Sequence, residues 1–275
     1  MQPFKSGRLF SIWDGGEYRS LGCLPTEPQL LGAASRFGDS FPTLEADDLK
    51  ECDFAFHGSP VRNQKQFGSC GGQAGVTSLD ICLRMIGEKP PYLSATFPYA
   101  LANGGRDQGS SLGNILKILK TYGTCTEELM PTEKIYKQQI PQEAWEIAKK
   151  FMVLDNLLCR TYKEMISAIG LGFPVELGIM VGKNFGELDS EGVCPLPDQI
   201  LGGHALCGMG IKKSQRTGEW LIKVQNSWAI QWGIKGYAFI RAAHFGQIGD
   251  AWAMVYPKEL RDSSDAPPVP NYQAA

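Results

Sequence analysis

The chain is 275 residues long, 43% hydrophobic and 20% charged, with 27 Lys+Arg against 29 Asp+Glu for a net charge of −2. This is globular composition, long enough to bury a full core, and a near-neutral chain without a basic stripe argues against nucleic acid or an anionic membrane surface as partner. The longest apolar run is too short for a membrane-spanning helix, and the start MQPFKSGRLF has no apolar signal-peptide core, so the expectation is a cytoplasmic or virion-associated protein.

Residues 1–45 carry little periodic pattern and many Gly and Pro, and read as an N-terminal arm. Its apolar residues Phe4, Leu9, Phe10, Ile12, Trp13 and Leu21 are candidate anchors, either on the body or in a larger assembly. So short a segment cannot build its own core. The expectation is an arm that is retained and needs no proteolytic removal. Helical patterns follow. Residues 70–86 place Ala74, Leu79, Cys82, Leu83 and Ile86 on one face, with Gly87 as the stop. Residues 112–122 do the same with Leu112, Ile115, Leu116 and Leu119, ending at Gly123. Pro141 stands where a helix begins, ahead of Trp145, Ala148, Phe151 and Met152. Thr161 and Glu164 form a capping-box pattern opening a helix to Ile169. Strand patterns occupy the second half: 175–181, 204–213, 219–227, 236–243 and 251–256, with 214–218 as a hairpin link. The tail 262–275 is polar and Pro-rich. Helices first and strands later predict an α+β fold of two lobes.

Eight cysteines are scattered without a C-x-x-C or a His-spaced pair, which gives no metal site and reads as reduced, mostly buried thiols. Cys70 differs. Gly68-Ser69 delivers it to a helix N-terminus, where unpaired N–H groups and the helix dipole favour a thiolate. Three histidines exist, His57, His204 and His244. His204 follows Gly202-Gly203 at the start of a strand, 134 residues after Cys70. Asn226, 22 residues further on, is placed to orient an imidazole from a neighbouring strand end. His57 and His244 read as structural, as do Cys82, Cys159 and Cys207 on apolar faces.

Together these stretches resemble the papain family of cysteine peptidases, in its bacterial and viral branch. The matching residues are Gln64, Gly68-Ser69-Cys70, His204-Ala205-Leu206, and Asn226-Ser227-Trp228-Ala229 with Trp232-Gly233 and Gly236-Tyr237, in the family's order. The resemblance implies a papain-like fold with a helical lobe at about 63–155 and a β-barrel-like lobe at about 156–261 plus 46–62, the groove lying between them. It implies Cys70 as nucleophile, His204 as acid and base, Asn226 as its orienting group and Gln64 as an oxyanion donor, with no cofactor. Gly109, Ser110 and Gly203 are the groove residues it implies, Gly109 ranking ahead of the Asn103-Gly104-Gly105 alternative on its spacing from Tyr122-Gly123. Trp228 is implied at the site both among the substrate-binding residues and as a shield for the His–Asn pair. The chain departs from the family at Gly71 and Gly72 after the nucleophile, at Phe67 in place of a disulfide cysteine, and at Gly203 and Ala229.

A peptidase acting on peptide or protein is the expected function. Two other readings stay open at this point. One is a non-catalytic component of a virion or other assembly. The other is a cysteine amidase or transferase acting on peptidoglycan or isopeptide bonds.

Overall fold

The computed structural model describes residues 10–255 apart from Gly15. Phe4, Leu9, Tyr256 and the tail 262–275 lie outside the described residues. Chain order in the arm is β1 (Ser11–Trp13), β2 (Tyr18–Ser20), β3 (Cys23–Leu24), α1 (Pro28–Ala33) and α2 (Phe37–Ser40), and β4 (Cys52–Asp53) follows it. The helical part holds α3 (Cys70–Met85), α4 (Thr96–Ala102), β5 (Ser110–Ser111), α5 (Leu112–Thr121) and α6 (Gln142–Ala148). The remainder is β6 (Asp155–Leu158), α7 (Tyr162–Gly170), β7 (Val175–Val181), β8 (Gly202–Lys213), β9 (Trp220–Gln225), β10 (Tyr237–Ile240) and β11 (Ile248–Val255).

Six strands form an antiparallel path β10-β9-β8-β7-β11-β6, and β4 pairs with the far half of β8. Both faces of this sheet are covered. On β7, Val175, Leu177, Ile179 and Val181 enter a core with Phe37, Phe41, Phe173 and helix α7. Beneath the other face lie α3 and α5, whose Leu79, Leu83, Ile115 and Leu119 pack with Ala205 and Trp252 of the sheet. Each large apolar side chain removed from water here contributes roughly 1.5–3 kcal/mol, so the two cores fix how the lobes meet.

Local chemistry accounts for the ends of these elements. Thr161 caps α7 by accepting from the Glu164 N–H at 3.0 Å. The return half of the predicted box is displaced: the Glu164 carboxylate accepts from the Arg160 N–H instead of from Thr161. Helix α5 is capped by Ser111, and Gly123 ends its last turn at φ 75°. The link 214–218 joins β8 to β9 as an antiparallel hairpin. Among the short elements that escaped the sequence patterns are α4 and β6, the first carrying Pro98 and the second opening on Asp155-Asn156.

The arm packs on the body along much of its length. Ile12 and Leu21 are buried, whereas Phe10 and Trp13 are more than half exposed. β3 pairs with β5 in parallel, Cys23 opposite Ser110. That single pairing carries the arm into the space between the helical part and the sheet.

Candidate active site

Cys70 is the first residue of α3, with Ser69 before it. His204 enters from β8, where it lies opposite Ile179 of β7. Asn226 follows β9 and is anchored by its own N–H donating to the Gly236 carbonyl at 2.9 Å. Gln64 is brought over by an extended segment that runs beside 227–229: the Gln64 N–H donates to Ser227 C=O at 2.8 Å and the Ala229 N–H to Arg62 C=O at 3.0 Å. Four elements distant in sequence thus converge on one place.

His204 Nε2 lies 2.7 Å from Asn226 Oδ1. With Nε2–H donating to that oxygen, Nδ1 keeps a free lone pair, and it meets no hydrogen-bond partner among the described residues. The backbone amide of Ala205, next to His204, lies against the Cys70 sulfur, so nucleophile and imidazole are neighbours across the lobe boundary. Trp228 stacks obliquely on His204 with ring centres 4.7 Å apart, and Phe185 and Trp232 close the cage behind it. Trp228 is 1% exposed, so its side chain shields the His–Asn pair from water instead of lining the groove. That corrects its expected place among the substrate-contacting residues.

The groove is filled by the arm. Gln64 Nε2 donates to the Ser20 carbonyl at 2.9 Å and to the Phe67 carbonyl at 2.7 Å. The amide of Gly22 lies at the Cys70 sulfur, and the Gly22 carbonyl accepts from the Ser110 N–H at 2.9 Å. A Cβ on Gly109 would come 2.3 Å from that carbonyl, and one on Gly203 would come 2.2 Å from the Cys23 carbonyl. Glycine at both positions lets a peptide backbone pass between the lobes, and Gly109, at φ 86°, adopts a conformation that other residues rarely hold. Gly109, Ser110 and Gly203 thus flank the arm segment at Gly22 and Cys23. Arg19 fixes the arm's approach, donating to Asp14 at 2.6 Å, to Asn63 Oδ1 at 2.6 Å and to Trp228 C=O at 3.5 Å. The arm, expected to be retained without proteolytic removal, runs through the groove itself. Residues 20–24 occupy the space in which a substrate would have to lie.

Electrostatics follow from that cover. Burial pushes the Cys70 thiol up to about 11, although the amides of Ala205, Gly22 and Gly71 oppose the shift. Burial also holds the His204 imidazole down to about 4, against the favourable contact with Asn226. The helix N-terminus alone predicts a thiolate; with the arm in place desolvation wins, and the pair is a neutral thiol beside a neutral imidazole. His57 stacks on Phe56, and the buried His244 faces the Arg241 and Pro195 carbonyls, both structural roles. Cys82, Cys159 and Cys207 are buried and free.

Residues 49–257 match the model of the papain family of cysteine proteases. The chain belongs to that family. An uncharacterized peptidase C1-like protein of Acanthamoeba polyphaga mimivirus is 30% identical over 146 residues, 48% of this chain and 46% of that protein. The oryzain gamma chain of Oryza sativa subsp. japonica is 26% identical over 239 residues, 82% of this chain and 62% of that one. The chain thus spans about half to three-fifths of the length of these curated relatives. Among solved structures, xylellain, a cysteine protease from Xylella fastidiosa, superposes with a TM-score of 0.72 at 17% identity over 86% of this chain and 96% of its own. Bromelain from Ananas comosus does so with 0.61 at 16% identity, covering 75% and 99%. The papain-like α+β fold expected from the sequence is the fold observed.

The sequence patterns did not single out Ser20, Gly22 or Cys23 of the arm, Ser227 as the partner of Gln64, or Asp250 on β11. None carries a local signal, because each acts through a residue far away in the chain.

Proposed function

We propose that the chain hydrolyses peptide bonds, with Cys70 as nucleophile, His204 as general acid and base, Asn226 orienting the imidazole, and the Cys70 N–H with the Gln64 side-chain amide binding the oxyanion. The observation that carries this reading is the His204–Asn226 contact, which leaves Nδ1 as the free nitrogen on the histidine beside Cys70. Once the cover is removed, Nδ1 accepts the thiol proton and the sulfur attacks the substrate carbonyl. The negative oxygen of the tetrahedral intermediate then takes the position that the Ser20 carbonyl now holds at Gln64 Nε2. The imidazolium returns its proton to the leaving amine, and a water activated by the same nitrogen splits the thioester.

In this reading the described form is latent, since residues 20–24 must leave before substrate can bind. The experiment compares full-length protein and its Gly22→Val variant on a peptide library, each with and without Cys70→Ser, cleaved bonds being located by mass spectrometry. A Cβ on residue 22 would stand 2.0 Å from the Gly68 carbonyl, so the variant's arm cannot seat. Cleavage by Gly22→Val that Cys70→Ser abolishes is the expected result. Absence of cleavage in every form, with the fold intact by circular dichroism, favours the non-catalytic component considered above.

A further inference from the structure

We infer that Asp107 is a positioning residue for the oxyanion site: through the Phe67–Gly68 peptide it sets the Gln64 side-chain amide, and Tyr99 holds Asp107 in place. The inference rests on the reading of the cleft as a peptide-cleaving site and adds a residue to its machinery.

The loop 63–69 leads into α3 and carries Gln64, with the Cys70 N–H directly after it. All eight cysteines are free, so no disulfide steadies this loop. The peptide between Phe67 and Gly68 is instead gripped from two sides. Its C=O accepts from Gln64 Nε2 at 2.7 Å, and its N–H donates to Asp107 Oδ1 at 2.9 Å. A trans peptide is planar, with its N–H and C=O pointing opposite ways. Fixing the N–H therefore fixes the carbonyl, and the carbonyl takes one of the two hydrogens on Nε2. The other is left to point into the cleft, where the Ser20 carbonyl meets it at 2.9 Å. Glycine resists rotation of such a peptide less than any other residue, so the acceptor on Asp107 is what stops it turning.

Asp107 is itself built in. It lies in the turn 103–109 between α4 and β5. The buried Asn103 shapes that turn, donating from Nδ2 to the Ile135 carbonyl at 2.7 Å and accepting from the Gly105 N–H at 2.9 Å. The Asn103-Gly104-Gly105 segment thus delivers Asp107 to the nucleophile's loop. Tyr99 of α4 is wholly buried, and its hydroxyl donates to the same Asp107 Oδ1 at 2.5 Å while accepting from the Gly109 N–H at 3.2 Å. The Tyr99 Cβ lies 3.3 Å from where a Cβ on Gly72 would stand, so this side chain is braced against the first turn of α3. One carboxylate oxygen therefore ties the loop before Cys70 to α4, and the same tyrosine ties in Gly109 beside the arm. The side chain of Asp107 touches neither Cys70 nor His204 by any hydrogen bond among the described residues, so what it does for the chemistry passes through Gln64.

The test is made in full-length Gly22→Val protein, on a peptide that this form cleaves. Asp107→Ala removes the acceptor, whereas Asp107→Asn is equally neutral but keeps an oxygen that can accept both bonds. Asp107→Ala is expected to lower kcat about tenfold or more, the scale of a displaced catalytic group, with KM within about twofold. Asp107→Asn should bring kcat back to within about threefold of the parent. Displacement of iodide by the sulfur forms no oxyanion, so alkylation of Cys70 by iodoacetamide should keep its rate within about twofold in both variants. In Gln64→Ala, adding Asp107→Ala should cost no more than about twofold in kcat, because the group it positions is gone. Unchanged kcat in Asp107→Ala overturns the proposal. So does alkylation slowed in step with turnover, or the same loss with and without Gln64, since either would mean that Asp107 only stabilises the loop. An Asn variant as slow as Ala overturns it as well, because the charge and not the two bonds would then matter. If Asp107→Ala does not fold, Tyr99→Phe decides: a fall in kcat of about threefold or more that disappears in Gln64→Ala supports the proposal, and unchanged kcat overturns it. In each of these failures the parent still cleaves, and the peptidase reading stands. Absence of cleavage by Gly22→Val on a whole peptide library overturns that reading and, with it, the role of Asp107.

Discussion

Gln64 is held at both ends of its amide. Ser227 Oγ donates to Oε1 at 2.7 Å, which turns Nε2 toward the cleft, where it donates to the Ser20 and Phe67 carbonyls. In a Gly22→Val background, Gln64→Ala is expected to lower kcat by roughly 10²-fold, the scale of one lost oxyanion donor. Ser227→Ala keeps the amide and loses only its anchor, so it should cost less. Unchanged turnover in Gln64→Ala would mean that this side chain does not reach the transition state. His204 and Asn226 divide in the same way. His204→Ala removes the proton carrier, whereas Asn226→Ala removes only the acceptor that holds Nε2, so steady-state kcat should fall further in the first. Equal losses would give Asn226 a role beyond orientation. Cys70, His204 and Asn226 were legible as candidates in the sequence through a glycine turn before a helix, a strand start and a strand end, and Gln64 through its place in the motif order of the family that the chain resembles. Ser227 and Asp250 were not, since their partners stand 163 and 224 residues away.

Legibility of the elements follows the same division. Strand β7 was readable to the residue, being a short apolar run between turns, and α5 because its apolar face repeats at helical spacing. The two glycines after Cys70 weaken a helix in isolation, yet α3 runs its full 16 residues because it is buried almost all round. At Gly72 the Ala95 carbonyl lies 2.3 Å from where a Cβ would stand, so packing leaves no room for a side chain there. The arm's path was illegible: a parallel pair between Cys23–Leu24 and Ser110–Ser111 leaves no periodic trace in either segment. Its consequence is testable at this scale. Gly22→Val must displace the arm, because the atom it meets is the Gly68 backbone, which cannot rotate away. Full-length wild type should therefore resist iodoacetamide at Cys70 between about pH 6 and 8, its thiol being held near 11 by burial. The variant should react at least tenfold faster. Equal rates would show that the arm does not guard the sulfur.

At the scale of the whole molecule, stability against pH reports two buried groups on the inner face of the sheet, with opposite signs. Burial holds His204 down to about 4, whereas the unfolded imidazole takes its proton near 6.5, so its contribution is full above 6.5 and is lost as pH falls toward 4. Burial pushes the Glu176 carboxyl well above its ordinary 4.5, with the Asp250 charge adding to the shift. In the unfolded chain that carboxyl ionises near 4.5, so the folded state loses about 1.4 kcal/mol per pH unit as pH rises beyond it. The two slopes oppose each other between about 4.5 and 6.5, and above that window only the carboxyl's remains. Asp250 shifts in the same direction as Glu176 and is present in both proteins to be compared. Glu176→Gln removes one ionisation and keeps the shape. Its unpartnered amide sets an offset in stability that does not vary with pH, so the decisive quantity is the change in the Tm difference between variant and wild type. From pH 5 to pH 8 that difference should move in the variant's favour by roughly 3 °C per pH unit, followed by calorimetry at fixed ionic strength. Parallel Tm profiles would mean that Glu176 is ionised in the folded protein, and a buried cation or water would then have to be found beside it.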